Sequence, residues 1–245
     1  MMQEWLGDVK NMNYSDIEFN SMLGSSIKIY PTKYPNIPAA VEKISEVDIP
    51  GRDGVLKTRT GKYESTQIPI EFNYIGKEEL WNERWRKVKQ WLSATDAELS
   101  IADDSEFYYR ISRVILDTNE RVSRRIGKFT ATFVTKDGLS YYKSGKSKMS
   151  IEDVKYNPGI TSQPIYIITG EGFCELTVNG KTMKVNVSEN IVINTELMVS
   201  YHTDNTSQNT AVNGDYEELY LHEGNNEISI TDGFECKIIP NWRCL

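Results

Sequence analysis

The sequence predicts a mainly β protein of two domains, and three observations carry that expectation. The chain's 245 residues exceed what one hydrophobic core usually organises. The 11% aromatic content, with 14 tyrosines, favours strands, and apolar residues recur at every second position through most of the chain. A single segment follows a helical period instead, and a single polar, aperiodic run offers a place to divide the chain.

The first element to justify is Ile49-Pro50-Gly51-Arg52-Asp53-Gly54, whose close-set glycines could cradle an anion. Such loops lead into a helix whose amino terminus completes the site. Here strand-like sequence follows, so Asp53-Gly54 reads as a hairpin or bulge turn with Ile49 and Val55 on the flanking strands. In Gln67 to Tyr74, Ile68, Ile70, Phe72 and Tyr74 share one face and polar residues the other, the pattern of a half-buried antiparallel strand. Pro69 has no donor for a ladder, which places it at a sheet edge or turned away from a neighbour.

Lys77 to Leu92 sets Leu80, Trp81, Trp85, Val88, Trp91 and Leu92 at helical spacing, with Glu78 and Glu79 early and basic residues later, as the macrodipole prefers. The tryptophan stripe reads as the anchor of a helix, about 77–92, packed across one sheet. Asp103-Asp104 belongs to a turn before the strand Phe107 to Leu116. In the basic knot that follows, Arg121, Arg124, Arg125 and Lys128 lie between two strands. Two readings stay open there: a solvated hairpin tip, or a contact in which arginine forks meet carboxylates of a neighbouring copy. Phe129, Ala131 and Phe133 restore the alternation.

The polar run Lys143 to Lys148, closing at Asn157-Pro158-Gly159, sets the expected division: a first domain 1–144 (a β-sandwich or barrel-like fold with one helix), a linker 145–156 and a second domain 157–245. The second domain offers eight short strands: Ile165 to Ile168, Cys174 to Val178, Lys184 to Val187, Ile191 to Ile193, Leu197 to Tyr201, Glu218 to Leu221, Ile228 to Ile230 and Phe234 to Ile239. That density suits a sandwich or jelly roll. Asp137-Gly138, Asn179-Gly180, Asn213-Gly214 and Asp232-Gly233 supply the positive φ of tight connections.

The chemistry of catalysis finds little footing. A formal charge of −7 opposes a role in neutralising nucleic-acid phosphates or anionic membranes, and no apolar run is long enough to span a bilayer. The amino-terminal segment carries early acids and no apolar core, so it does not read as a secretory signal, and synthesis in the cytosol is expected. Cys174, Cys236 and Cys244 form no CxxC and no disulfide framework, and His202 and His222 lack metal-ligand spacing. Asp103 and Asp104 are adjacent and would point to opposite faces of a strand, so they make a poor acid–base pair. No enzyme, no cofactor and no metal are expected.

The order of these features resembles the distal tail protein family of siphophages, ring components joining the tail tube to the host-recognition apparatus. The matching fragments begin with Ile49-Pro50-Gly51-Arg52-Asp53-Gly54, Tyr63, Ile68 to Tyr74, the helix closing in Trp91-Leu92, Leu99 to Asp104 and Gly127 to Phe133. They continue with Asn157-Pro158-Gly159, Pro164, Gly170, Leu176 to Gly180, Leu221 to Ile230 and Pro240-Asn241-Trp242-Arg243. The resemblance implies a homo-hexameric ring of first domains around a channel for DNA, and a galectin-like jelly-roll sandwich as second domain. It implies a place in the virion tail tip with the tail tube protein, a tip or tail-associated protein and receptor-binding proteins as partners. The second domain lacks the long insertion that forms a receptor-binding arm in some relatives. Arg52, Asp53, Arg121, Arg124 and Arg125 are the candidate inter-subunit contacts under this reading. The alternative is a carbohydrate-binding adhesin acting through the second domain, with Tyr201, Tyr220 and Trp242 as candidate glycan contacts.

Overall fold

The structure is a computed structural model and describes residues 16–51 and 53–245. The chain divides into two compact units, one ending at Ser140 and the other running Tyr141–Leu245.

In the first unit the strands are β1 (Ile17–Phe19), β2 (Met22–Leu23), β3 (Ile29–Pro31), β4 (Glu42–Asp48), β5 (Val55–Tyr63) and β6 (Gln67–Ile75). Helix α1 (Trp81–Leu92) follows, then β7 (Ala97–Ile101), β8 (Phe107–Leu116), β9 (Glu120–Arg121) and β10 (Ile126–Tyr142). The main sheet runs β2-β1-β7-β8-β10-β6-β3, with β9 also on β10. Its core is legible in the β6/β10 register, where Ile68 faces Phe133, Ile70 faces Ala131 and Phe72 faces Phe129. All six are buried, as the alternation requires. Pro69 lies beyond the reach of β3, which pairs only Phe72, Asn73 and Tyr74 of β6.

Helix α1 closes this face as the tryptophan stripe foretells, after a 3-10 turn at Glu78–Leu80. The Trp91 ring meets Phe19 and Phe72 edge-on at 6.3 Å, Trp85 meets Phe129 at 5.3 Å, and Trp81 meets Tyr74 at 5.3 Å. The Trp91 indole donates to the Phe19 carbonyl at 3.2 Å, so its one polar atom is satisfied inside the core. Gly127 stands opposite Tyr74, where a Cβ would run into the phenol ring and come within 2.7 Å of Trp81.

The second unit comprises β11 (Met149–Ser150), β12 (Tyr156–Asn157), β13 (Ile165–Val178), β14 (Lys181–Asn194), β15 (Val199–Tyr201), β16 (Val212–Asn213), β17 (Gly224–Asn225), β18 (Ile228–Ile230), β19 (Glu235–Ile239) and β20 (Arg243–Cys244). Its sheet runs β11-β19-β13-β14-β15, and β12 pairs with β17 apart from it. The centrepiece is the β13/β14 hairpin, paired from Ile165↔Asn194 to Val178↔Lys181. Asn179 and Gly180 turn it with φ of 51° and 79°, the two positive values a type I′ turn demands. Tyr166, Ile168, Leu176, Val178, Val185 and Ile193 build the core, and the Tyr166 hydroxyl donates to the Leu219 carbonyl at 2.8 Å.

Several expectations need correction. Residues 145–156 are built into the second unit and are no linker: Met149 pairs with Ile238 and Val154 is buried in the core. A run without a period can still lend single apolar residues to a neighbouring core. Four expected strands are two long ones, because the positive-φ Gly170, Gly172 and Glu189 let β13 and β14 bend without ending. Glu218 to Leu221 is no strand: Tyr216–Leu219 is a 3-10 turn capped by Asp215, and it buries Leu219 and Leu221 all the same. Asp137-Gly138 joins no two strands but lies within β10 as an irregularity at φ 69°.

Candidate assembly interface

Strands β4 and β5 form a sheet of their own, apart from the main one. Almost every described residue from Lys43 to Lys62 is exposed, so this hairpin has no core beneath either face. An isolated two-stranded hairpin is marginal in water, and this one carries Ile44, Val47, Val55 and Leu56 into solvent. Residues directly opposite on paired strands share a side, which separates the two faces chemically. One presents Ser45 and Val47 across from Thr58 and Leu56, all uncharged. The other presents Ile44 and Glu46 across from Arg59 and Lys57, with ion pairs Glu46–Lys57 at 2.9 Å and Glu42–Arg59 at 3.7 Å. Lys43 follows on the side of Ser45 and Val47, so the uncharged part is a patch of Ser45, Val47, Leu56 and Thr58, whose exposed valine and leucine suit cover by another protein surface. Asp53 lies at the turn of this hairpin, as the sequence predicts, while Arg52 lies outside the described residues.

The second candidate surface is the β9/β10 hairpin beside the start of α1. The Arg121 guanidinium sits over the Trp81 ring at 4.7 Å and donates to the Arg124 carbonyl at 3.0 Å. Arg125 is tied to Gly76 by its backbone carbonyl at 2.9 Å and its Nε at 3.4 Å. Arg84 of α1 donates to the Ile75 carbonyl at 2.7 Å. Arg121, Arg124 and Arg125 are thus brought together on one corner with the exposed Val122, Ile75 and Ile126, and Asp53 belongs to the other hairpin. Among the described residues the Arg124 side chain has no partner, so its five donors face solvent or a neighbour.

Burial pushes the Cys174 thiol up to about 11 and that of Cys236 to about 12, which keeps both protonated and unreactive at neutral pH. Asp104 is raised by partial burial and by the neighbouring Asp103 and Glu106, but those acids share an exposed turn. No cluster of His, Cys, Asp or Glu able to hold a metal occurs among the described residues, and no helix of these is long and apolar enough to cross a membrane.

The three aromatic residues considered for glycans are dispersed. Trp242 packs against the second core with its indole nitrogen buried, and the Tyr220 hydroxyl accepts from Gln163 at 3.2 Å. Tyr201 lines an open cleft, formed with Leu197, Val199, Ser200, Asn205, Ser207 and Asn209. Sequence reasoning missed the detachment of the β4/β5 hairpin; its signal is that Ile44 shares its side of the strand with Glu46 and Asp48, so that side is not a dry one.

No family model and no curated protein matches the sequence. Among solved structures the chain is similar to the crystal structure of the SPP1 Dit protein (gp 19.1), described as a paradigm of the hub adsorption apparatus in phages infecting Gram-positive bacteria. The TM-score is 0.64 at 14% identity, over 91% of this chain and 97% of that one. The chain therefore has a Dit-like, mainly β fold with a single helix among its described residues, through both of its units.

Proposed function

We propose that this chain is a structural hub of a phage tail tip, assembled as a closed hexameric ring through its first unit and joining the tail tube to the tip and host-recognition proteins. The observation that carries the reading is the likeness to the SPP1 hub protein over nearly the full length of both chains. The β4/β5 hairpin supports it, because an exposed arm with an uncharged patch around Val47 and Leu56 has a use when a neighbouring copy receives it. Rings of identical subunits close through head-to-tail contacts that need two different surfaces, and the hairpin and the basic β9/β10 corner are two such surfaces. A chain of formal charge −7 does not grip passing DNA, which suits a conduit. The protein would be made in the host cytoplasm and act in the virion, without catalysis or cofactor.

The test is solution mass by light scattering over a range of concentrations, joined to negative-stain images. Particles of six times the 28.1 kDa chain with a central hole are expected. A monomer at every concentration that also fails to enter tails assembled from the remaining tail proteins would overturn the reading.

A further inference from the structure

At the β15 edge, in a cleft of about 400 Å³, the aromatic side chain of Tyr201 and several polar side chains converge. Its lining contains no charged residue. That composition opposes a phosphate, a carboxylate or a cation as ligand, each of which needs an opposite charge to repay its desolvation. Leu197, Val199 and the Tyr201 ring supply apolar surface, while Asn205, Ser207 and Asn209 supply amide and hydroxyl groups beside it. Asn209 is held in place by accepting from the Ser200 N–H at 2.6 Å through Oδ1, and its amide N–H groups are left without a protein partner among the described residues. The Asn205 amide and the Ser207 and Tyr201 hydroxyls are likewise left to solvent.

The cleft is also fixed before any ligand arrives. Asn190 Oδ1 accepts from Thr203 N at 2.9 Å and Asp204 Oδ1 from Thr206 N at 2.8 Å, so the loop after β15 is tied at both ends. The same loop occupies the free edge of β15: Gln208 N donates to the Ser200 carbonyl and His202 N to the Thr206 carbonyl, both at 2.8 Å. An extended peptide therefore cannot add a strand here.

From this we infer a binding site for a neutral sugar ring, whose C–H face lies on Tyr201 and Leu197 while its hydroxyls pair with Asn205, Ser207 and Asn209. Neutral hexopyranosides and N-acetylhexosamines are the ligand class. The inference stands on the second unit alone and is independent of the hub reading, so either can fail without the other.

The experiment is saturation-transfer NMR on the full chain with the methyl glycosides of glucose, galactose, rhamnose and N-acetylglucosamine, each at tens of millimolar. At least one is expected to receive saturation, strongest at ring C–H protons, with millimolar affinity. Tyr201→Ala is expected to lower the transfer at least fivefold. Asn209→Asp, which keeps the acceptor to Ser200 but replaces the free donor, is expected to weaken binding with an unchanged thermal midpoint. Trp242→Phe, outside the cleft, is expected to leave the transfer intact. Silence from all four glycosides with the wild-type chain, or transfer that persists in both folded cleft variants, overturns the proposal.

Discussion

At Gly127 a single missing methyl group decides how α1 sits on its sheet. A Cβ there would collide with Tyr74 and Trp81, and two rings packed at 5.3 Å from each other have little room to yield. Gly127→Ala is therefore expected to destabilise the first unit by about 1–3 kcal/mol, the usual cost of overpacking, measured as a lowered urea midpoint. An unchanged midpoint would mean that Tyr74 swings aside. The buried thiols give a prediction with a defined sign. Their folded pKa values, about 11 and about 12, lie above the ordinary 9.0, so the native state holds protons that the unfolded chain releases. Their contribution is whole below pH 9 and is lost as pH rises towards 11 to 12. The Cys174→Ala/Cys236→Ala variant is expected to show a shallower alkaline decline in stability than the parent. Residue identity alone could not reveal these roles. Tyr201, Tyr220 and Trp242 look equivalent in the sequence, and only their surroundings separate them: Gln163 holds the Tyr220 hydroxyl, the Trp242 indole nitrogen is buried, and Tyr201 faces a cleft.

Among elements, the most legible were those with one wet and one dry side. The alternation of β6 and β10 and the period of α1 name their own core residues, because each of these elements buries one side against the other two. Legibility failed where backbone geometry, not side-chain period, decides. Gly170, Gly172 and Glu189 allow long strands to continue through what reads as a break, and the buried Leu219 and Leu221 mimic a strand while one ends a 3-10 turn and the other makes a single bridge to Ser162. Under the proposed ring the β4/β5 hairpin escaped for a further reason: an element that a neighbouring copy covers shows no dry side in the chain's own core. That account is testable, since Val47→Glu with Leu56→Glu should place charge on the uncharged patch without touching any packed neighbour. Stability of the isolated subunit is expected to change by less than about 0.5 kcal/mol. The assembled mass is expected to fall to that of the single chain. Retention of the ring in the double variant would remove this face from the interface. Reversal of Arg124 and Arg125 to Glu tests the basic corner by the same readout, with loss of assembly expected again.

On the scale of the whole molecule, the two units have separate cores, one around Phe72, Trp91 and Phe133 and the other around Tyr166, Leu176 and Ile193. Separate cores imply separable unfolding transitions in a calorimeter. Trp91→Ala, which removes a ring from the first core, is expected to cost about 3–5 kcal/mol and to lower one transition while leaving the other in place. This separation also gives the ring reading a thermodynamic signature. Association that involves only folded subunits stabilises by mass action, so a unit that forms the ring must melt higher as protein concentration rises. A unit that takes no part in closure must melt at a constant temperature. The transition lowered by Trp91→Ala is therefore expected to be the one that climbs with concentration, and the other is expected to stay fixed. If the climbing transition is instead the one insensitive to Trp91→Ala, assembly runs through the second unit, and the β4/β5 hairpin and the arginine corner lose their assigned part in it.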